Sequence, residues 1–357
     1  MRCFFNIAIA LATSMLVVSP GFAAEKVRWK LAMTWSSTLT PLADTAPMLA
    51  DMVSKMTGGN FQIRVEGAEK NKAPLGILDM VKGGQFEMGH SASYYWKGKD
   101  VASVFFTTAP FGMNSDEQYA WFYYGGGQAL QQKLYDRFDV LSYPGGNTGV
   151  QMGGWFRKEI TSLDDLKGLK MRIPGLAGEV FAKLGVAVTN IAPGELYTSL
   201  DRGTIDALEW VGPGMDIKMG FHKIAPYYYT GWHEPASEMQ FLINKRAFAK
   251  LSPEYQTILT TAIKAVTADL TAENFNANAE AWAQIKAEHP EIKIMTFPPA
   301  VLKAMKQATD EVMAGYAAEN PLFKEIYDNQ KAYMAKAREW TRMSEYLYIK
   351  TTEEVEE

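Results

Sequence analysis

The chain has 357 residues, long enough for two domains of ordinary size. Hydrophobic residues make up 47% and charged residues 21%, a globular balance that excludes low-complexity disorder and collagen-like repeats. Lys plus Arg total 36 against 40 for Asp plus Glu, so the net charge of −4 leaves no excess cation for a phosphate backbone and no nucleic-acid partner is expected.

Arg2, the apolar run Ile7 to Val18 and the small residues Gly21 and Ala23 follow the order of a secretory signal peptide over residues 1–23, cut after Ala23. The apolar run, about 12 residues, is too short to cross a bilayer. Cys3 is the only cysteine and falls inside this segment, so an exported mature chain has no disulfide, thiol nucleophile or thiolate metal site.

From Val27 the pattern reads strand (Val27 to Trp35), helix (Pro41 to Thr57, closed by Gly58-Gly59), strand (Phe61 to Val65), helix (Leu75 to Val81) and strand (Phe86 to Ser91). This β-α-β-α-β order begins an open, mostly parallel sheet. The Gly- and aromatic-rich stretch Tyr143 to Gly149 separates it from a second unit. There, strands are expected at Val150 to Phe156, Leu169 to Ile173, Val186 to Asn190 and Ile205 to Val211. A helical turn at Ser162–Asp165 and helices at Leu176 to Leu184 and Glu195 to Arg202 lie between them. After a strand at Glu238 to Asn244, Ser252-Pro253 caps a helix running to about Glu288, long enough to span both lobes. Further helices follow at Pro299 to Ala318 and from Leu322 to about Tyr346. The acidic tail is expected to be solvated and disordered. The expected organisation is α/β: lobe 1 over 24–147 plus about 237–275, lobe 2 over 148–236, C-terminal helices over 276–350 and the tail over 351–357.

Enzyme signatures fail. Gly89-His90-Ser91-Ala92-Ser93 has Ser where a nucleophile elbow needs its last Gly, and Gly125-Gly126-Gly127 lacks the third glycine of a dinucleotide loop because Leu130 occupies it. The four histidines, His90, His222, His233 and His289, have no ligand spacing, and each is expected to be a surface or satisfied core residue. An exported, two-lobed α/β chain without a catalytic motif has the character of a solute receptor, not an enzyme.

Ligands of open α/β sheets bind beyond the carboxyl ends of the strands. Arg172 ends the strand Leu169 to Ile173, where its guanidinium either clamps a carboxylate or faces solvent. Glu209-Trp210 ends the next strand, and a carboxylate there needs a cation or a donor: a metal, or a salt bridge to a nearby base. Gln151 adds an amide oxygen, and with Glu209 and a backbone carbonyl makes the oxygen set that hard cations prefer. Tyr94-Tyr95-Trp96 is either core or the aromatic wall of a ligand site.

Ser93–Lys99, Asn147–Phe156, Met171–Gly175, Ala207–Pro213 and Gly231–Pro235 together give the chain a family likeness. It resembles the DctP-type substrate-binding subunits of TRAP (tripartite ATP-independent periplasmic) transporters along essentially the whole mature chain, most closely the 2-oxo-acid-binding branch. The resemblance implies a periplasmic location and a two-lobed periplasmic-binding-protein fold, type II-like, with long C-terminal helices spanning and flanking the lobes. It implies that Arg172 pairs with the substrate carboxylate. Gln151, Glu209 and the Trp210 carbonyl would hold Na⁺, with Ca²⁺ as the alternative, and Glu234 would lie in or behind that shell. Tyr94, Tyr95 and Asn147 would add hydrogen bonds. The implied cargo is a small 2-oxo monocarboxylate of the pyruvate or 2-oxobutyrate class, handed to TRAP membrane subunits. The alternatives are Ca²⁺-dependent lactate binding and, from another class, a secreted enzyme acting on small organic acids. The last helix places Ile326, Gln330, Tyr333, Ala337, Trp340, Ser344 and Leu347 on one stripe. This stripe either packs on its own lobe or, as in some members of the branch, reaches a second copy to form a homodimer.

Overall fold

In the computed structural model, residues 26–356 are described; the expected signal peptide and Cys3 lie outside them. The described strands are β1 (Val27–Met33), β2 (Phe61–Glu66), β3 (Met88–Ser91), β4 (Val140–Asn147), β5 (Gly154–Phe156), β6 (Lys170–Arg172), β7 (Ala187–Thr189), β8 (Ala207–Leu208), β9 (Tyr227–Tyr229), β10 (Glu238–Asn244) and β11 (Lys293–Met295). They form two sheets, ordered β2-β1-β3-β10-β4 and β11-β9-β5-β8-β6-β7. In the first, β1, β2 and β3 run parallel, as the β-α-β rhythm requires, and β10 returns antiparallel between β3 and β4. In the second, β6, β7 and β8 are parallel and β5 runs against both its neighbours.

Three expectations need correction. Tyr143 to Gly149 is not merely a separator, because its first part belongs to β4 and pairs with β10. Pro144 and two glycines disguise it, and the ladder absorbs them through a register shift between Glu238 and Gln240. The expected strand Val150 to Phe156 shrinks to Gly154–Phe156. Its first half crosses between the sheets, bonding instead to the returning crossing: Gln151 N–H donates to Glu234 O (2.9 Å) and Gly153 N–H to Tyr229 O (2.7 Å). The two crossings approach so closely that a Cβ at Gly231 would lie 1.9 Å from the Gln151 carbonyl oxygen, so only glycine fits there. Finally, the acidic tail continues a helix, Leu347–Glu356, that follows a π-helical turn at Arg342–Tyr346. It is largely exposed as expected, but ordered, with Lys350 and Glu354 paired one turn apart.

The long helix Pro253–Glu288 starts where its cap predicts, with Ser252 Oγ accepting from Tyr255 N–H. Its first half packs on β4 and on the helix Thr45–Met56. Farther along, Asn278 Oδ1 accepts from Gly214 N–H (3.0 Å) in the helix Pro213–Met219 behind the second sheet. One rigid element therefore touches both halves. The helix Pro299–Glu319 lies on Gly175–Lys183 of the second half, and Pro321–Thr341 folds back on the first. There Arg338 grips Glu117 through both carboxylate oxygens (2.7 and 2.8 Å). The stripe on this last helix divides. Ile326 and Gln330 are buried on the chain's own lobe, whereas Trp340 is 69% exposed. No helix among the described residues is long and apolar enough to cross a membrane.

Candidate functional site

Parallel pairing of β6 with β8 sets Arg172 opposite Leu208, so the next residue, Glu209, emerges beside the arginine at the strand ends. Arg172 is not a surface residue; its side chain is 1% exposed. Nη1 donates to the Glu209 carbonyl (2.9 Å) and to Glu209 Oε1, Nε donates to Ile191 O (3.3 Å), and the guanidinium lies 5.6 Å from the Trp210 ring. Nη2 is buried without a partner. The salt bridge considered for Glu209 is thus made, and made with Arg172 itself.

The other oxygen of Glu209 lies 3.2 Å from His233 Nε2, and the His233 side chain is fully buried. Glu234, next along the returning crossing, is buried too and accepts from Ser237 Oγ. Burial, and then the charge of Glu209, push its carboxyl up to about 7. One ligand atom from each of Glu209, His233 and Glu234 falls within 4.8 Å of the others. Gln151, joined to Glu234 through the backbone, has a buried Oε1 with no partner while its Nε2 donates to Thr148 Oγ1 (2.9 Å). Two carboxylates and an orphaned amide oxygen fit a hard cation, and Trp210 continues the chain from Glu209.

Tyr94 and Tyr95 approach from the first half, on the single turn Ser93–Trp96 after β3. Their rings meet edge to face at 4.7 Å. Burial raises both hydroxyls, and Glu234, Glu209 and Arg172 act on both, so the tyrosines face the charged residues of the second half. The Tyr95 hydroxyl and Trp210 Nε1 are buried donors without partners. Asn147 is different. Its Nδ2 donates to Gln118 Oε1 (2.8 Å) and Glu238 Oε2 (3.3 Å). Its Oδ1 accepts from Gly149 N–H (2.9 Å), Ser237 N–H (3.1 Å) and Ser115 Oγ (3.2 Å). This amide is fully engaged in bracing the crossing between the sheets.

Two residues of the site escaped sequence reasoning. His233 was expected to be a surface or satisfied core residue, yet it touches Glu209 and its Nδ1 is unpartnered. Of the other histidines, His90 is a satisfied core residue, between Trp35 Nε1 (2.9 Å) and Gly145 O (3.0 Å). The second is Asp216. Its Oδ1 accepts from Val211 and Gly212 N–H (3.1 and 3.0 Å), and its Oδ2 from Trp155 Nε1 (3.0 Å) and the Tyr228 hydroxyl (2.9 Å). Four donors on one buried carboxylate fix the backbone just past Trp210. The position of Asp216 in the first turn after Gly212-Pro213 was the available signal.

Two α/β halves, joined by crossing strands around a sealed cluster of charges and unpartnered donors, define a solute-binding protein. The profile of the bacterial extracellular solute-binding proteins, family 7 (DctP), matches residues 31–320, and the chain belongs to that family. A monocarboxylate 2-oxoacid-binding periplasmic protein of Nostoc sp. is 42% identical over 351 residues, covering 96% of this chain and 95% of its own. A TRAP periplasmic solute-binding protein of Colwellia psychrerythraea, solved with bound calcium and pyruvate, is similar at 52% identity and a TM-score of 0.91, over 92% of this chain and 100% of its own. One from Pseudoalteromonas atlantica, solved with bound sodium and pyruvate, is similar at 53% identity and a TM-score of 0.90, over 91% and 99%.

Asp216→Ala strands four buried donors at once. It is expected to lower the unfolding free energy by about 2–4 kcal/mol in urea denaturation, since each orphaned donor costs about 1–3 kcal/mol and the site relaxes in part. An unchanged midpoint would contradict this anchoring role.

Proposed function

We propose that the protein captures a small 2-oxo monocarboxylate, of the pyruvate or 2-oxobutyrate class, together with Na⁺ or Ca²⁺. It does so in the periplasm, after loss of residues 1–23, and passes the acid unchanged to TRAP membrane subunits. The observation that carries this is the buried Arg172, paired to Glu209 yet retaining an unpartnered Nη2. A guanidinium so placed suits a carboxylate, and the orphaned Tyr95 hydroxyl and Trp210 Nε1 are further donors for ligand oxygens. Gln151, Glu209, the Trp210 carbonyl and Glu234 would hold the cation, which supplies the charge that balances the ligand and polarises its keto oxygen. His233 steadies Glu209 from behind. The lobe boundaries proposed from sequence, near 147–148 and 236–237, place Tyr94 and Tyr95 on one side of the ligand and Arg172 and Glu209 on the other. The relative named for 2-oxoacids supports the choice of acid, and the two solved with bound pyruvate support both that choice and the cations.

Calorimetry of pyruvate, 2-oxobutyrate, lactate, an amino acid and a sugar, each with Na⁺ alone and with added Ca²⁺, tests the reading. The 2-oxo acids are expected to bind most tightly and to be recovered without turnover; tight binding of only the sugar or the amino acid would overturn it. Arg172→Met is expected to weaken pyruvate binding by roughly 30-fold to several-thousand-fold, the effect of about 2–5 kcal/mol for a truncated buried charge pair. Because it strands Glu209, the companion Arg172→Met/Glu209→Gln is expected to recover stability without recovering binding. Wild-type affinity in either variant would remove Arg172 from the site.

We further propose a homodimer through the far end of the C-terminal helix, where Trp340, Tyr346, Tyr348 and Ile349 are exposed close together in sequence. The start of this helix, with Leu322, Phe323, Ile326 and Gln330 buried, holds to its own lobe, so the chain is expected to sediment as a dimer when full length and as a monomer when it ends at Glu339, before Trp340. A monomer at tens of micromolar full-length protein would refute this.

A further inference from the structure

Lys97 lies outside the cluster of charges that the ligand would touch, on the first-half turn that carries Tyr94 and Tyr95. Its Nζ reaches across to the second half. There it donates to the Gly175 carbonyl (3.0 Å) and to Glu179 Oε1 (2.6 Å). Gly175 stands three residues after Arg172, at the start of the helix Gly175–Lys183, with φ at +67°. A Cβ there would sit 3.6 Å from the Tyr94 side chain. The second oxygen of Glu179 accepts from the Tyr316 hydroxyl (2.6 Å), on the helix Pro299–Glu319. Glu179 is thus held from two sides, and its second partner stands on a helix that packs on Gly175–Lys183 rather than on the tyrosine turn.

We propose that Lys97 is a positioning residue for ligand capture: with Glu179 it bolts the tyrosine wall to the junction that presents Arg172 and sets how long the cleft stays shut. The pair joins elements of different sheets, so separating the halves must break it. Neither member occupies the ligand cluster, so its loss leaves the recognition groups in place. Both side chains are about one-third exposed, 33% and 31%, so the pair can open and reform in water without the penalty of a buried one. Tyr316 keeps the Glu179 carboxylate oriented when Lys97 leaves, which prepares it for the next closure. A contact that holds the halves together must break before the ligand leaves, so its loss is felt chiefly in ligand escape.

The proposal rests on the 2-oxo-acid reading only for the choice of ligand. Stopped-flow tryptophan fluorescence with pyruvate and Ca²⁺, and small-angle scattering of the ligand-free mature protein, are run on wild type, Lys97→Met, Glu179→Gln and the double variant. Each single variant is expected to release pyruvate about 5- to 10-fold faster, the range of a partly exposed, charge-assisted pair. The cation requirement stays at its wild-type value, and association is no slower than in wild type, because a loosened ligand-free cleft is more often open. The double variant is expected to be no faster than the faster single one, because one shared contact is lost. The ligand-free radius of gyration is expected to rise in Lys97→Met. Wild-type release rates, or additive effects in the double variant, overturn the proposal. If wild type binds no 2-oxo acid, the reading of the cargo falls instead, and an unchanged radius of gyration in Lys97→Met then overturns the role of Lys97 independently.

Discussion

The pairing of Arg172 with Glu209 is the constraint around which the site is built. Each side chain is 1% exposed, and an isolated charge at such depth is prohibitively costly. The register of β6 on β8 makes the pair unavoidable, because it sets residue 172 opposite 208 and sends 209 out beside the guanidinium. Everything nearby serves to hold that geometry. His233 takes the free oxygen of Glu209, Ile191 takes Nε of Arg172, and Asp216 clamps the backbone at Val211 and Gly212.

The same pair explains why one site would take two ligands of opposite charge. A carboxylate delivered to Arg172 alone would leave Glu209 without its counter-charge. A cation delivered to Glu209 alone would do the same to Arg172. Together they exchange one internal pair for two external ones and keep the interior neutral, which is the least costly way to load a sealed, low-dielectric cleft. The crossings between the sheets set the other side of the site. Gln151 on the outgoing crossing and Glu234 on the returning one share a backbone hydrogen bond, so the proposed cation ligands sit where the two halves are joined. Asn147 and Glu238 lock those crossings together from the first sheet, with the Asn147 amide bonded to Gln118, Glu238 and Ser237.

Much of this was legible in the chain because local chemistry and tertiary structure agree. Ser252-Pro253 announced the long helix, and the strand expected at Glu238 to Asn244 is β10 at its full extent. Arg172 and Glu209 were found because strand ends are where such folds keep their polar groups. What stayed hidden has particular causes. β4 carries Pro144 and two glycines, so its pattern reads as a turn. β9 and β11 are three residues each, too short for any periodicity. Val150 to Gly153 looks like strand but bonds to Val211, Tyr229 and Glu234, far along the chain, which no local pattern reveals. His233 and Asp216 are single polar residues without ligand spacing, and only the approach of the crossings and of the Glu209–Gly212 segment gives them partners. The tail was misjudged because its charge was weighed and its continuity with the preceding helix was not.

The central claim is that the acid and the cation are bound as a linked pair through Arg172 and Glu209. Titrating pyruvate into the mature protein over a series of Ca²⁺ concentrations, and Ca²⁺ over a series of pyruvate concentrations, measures that link directly. The account predicts that each ligand tightens the other by the same factor, as a shared coupling free energy requires. Pyruvate affinity that is the same in chelator-treated, sodium-free buffer as at saturating Ca²⁺ would contradict it.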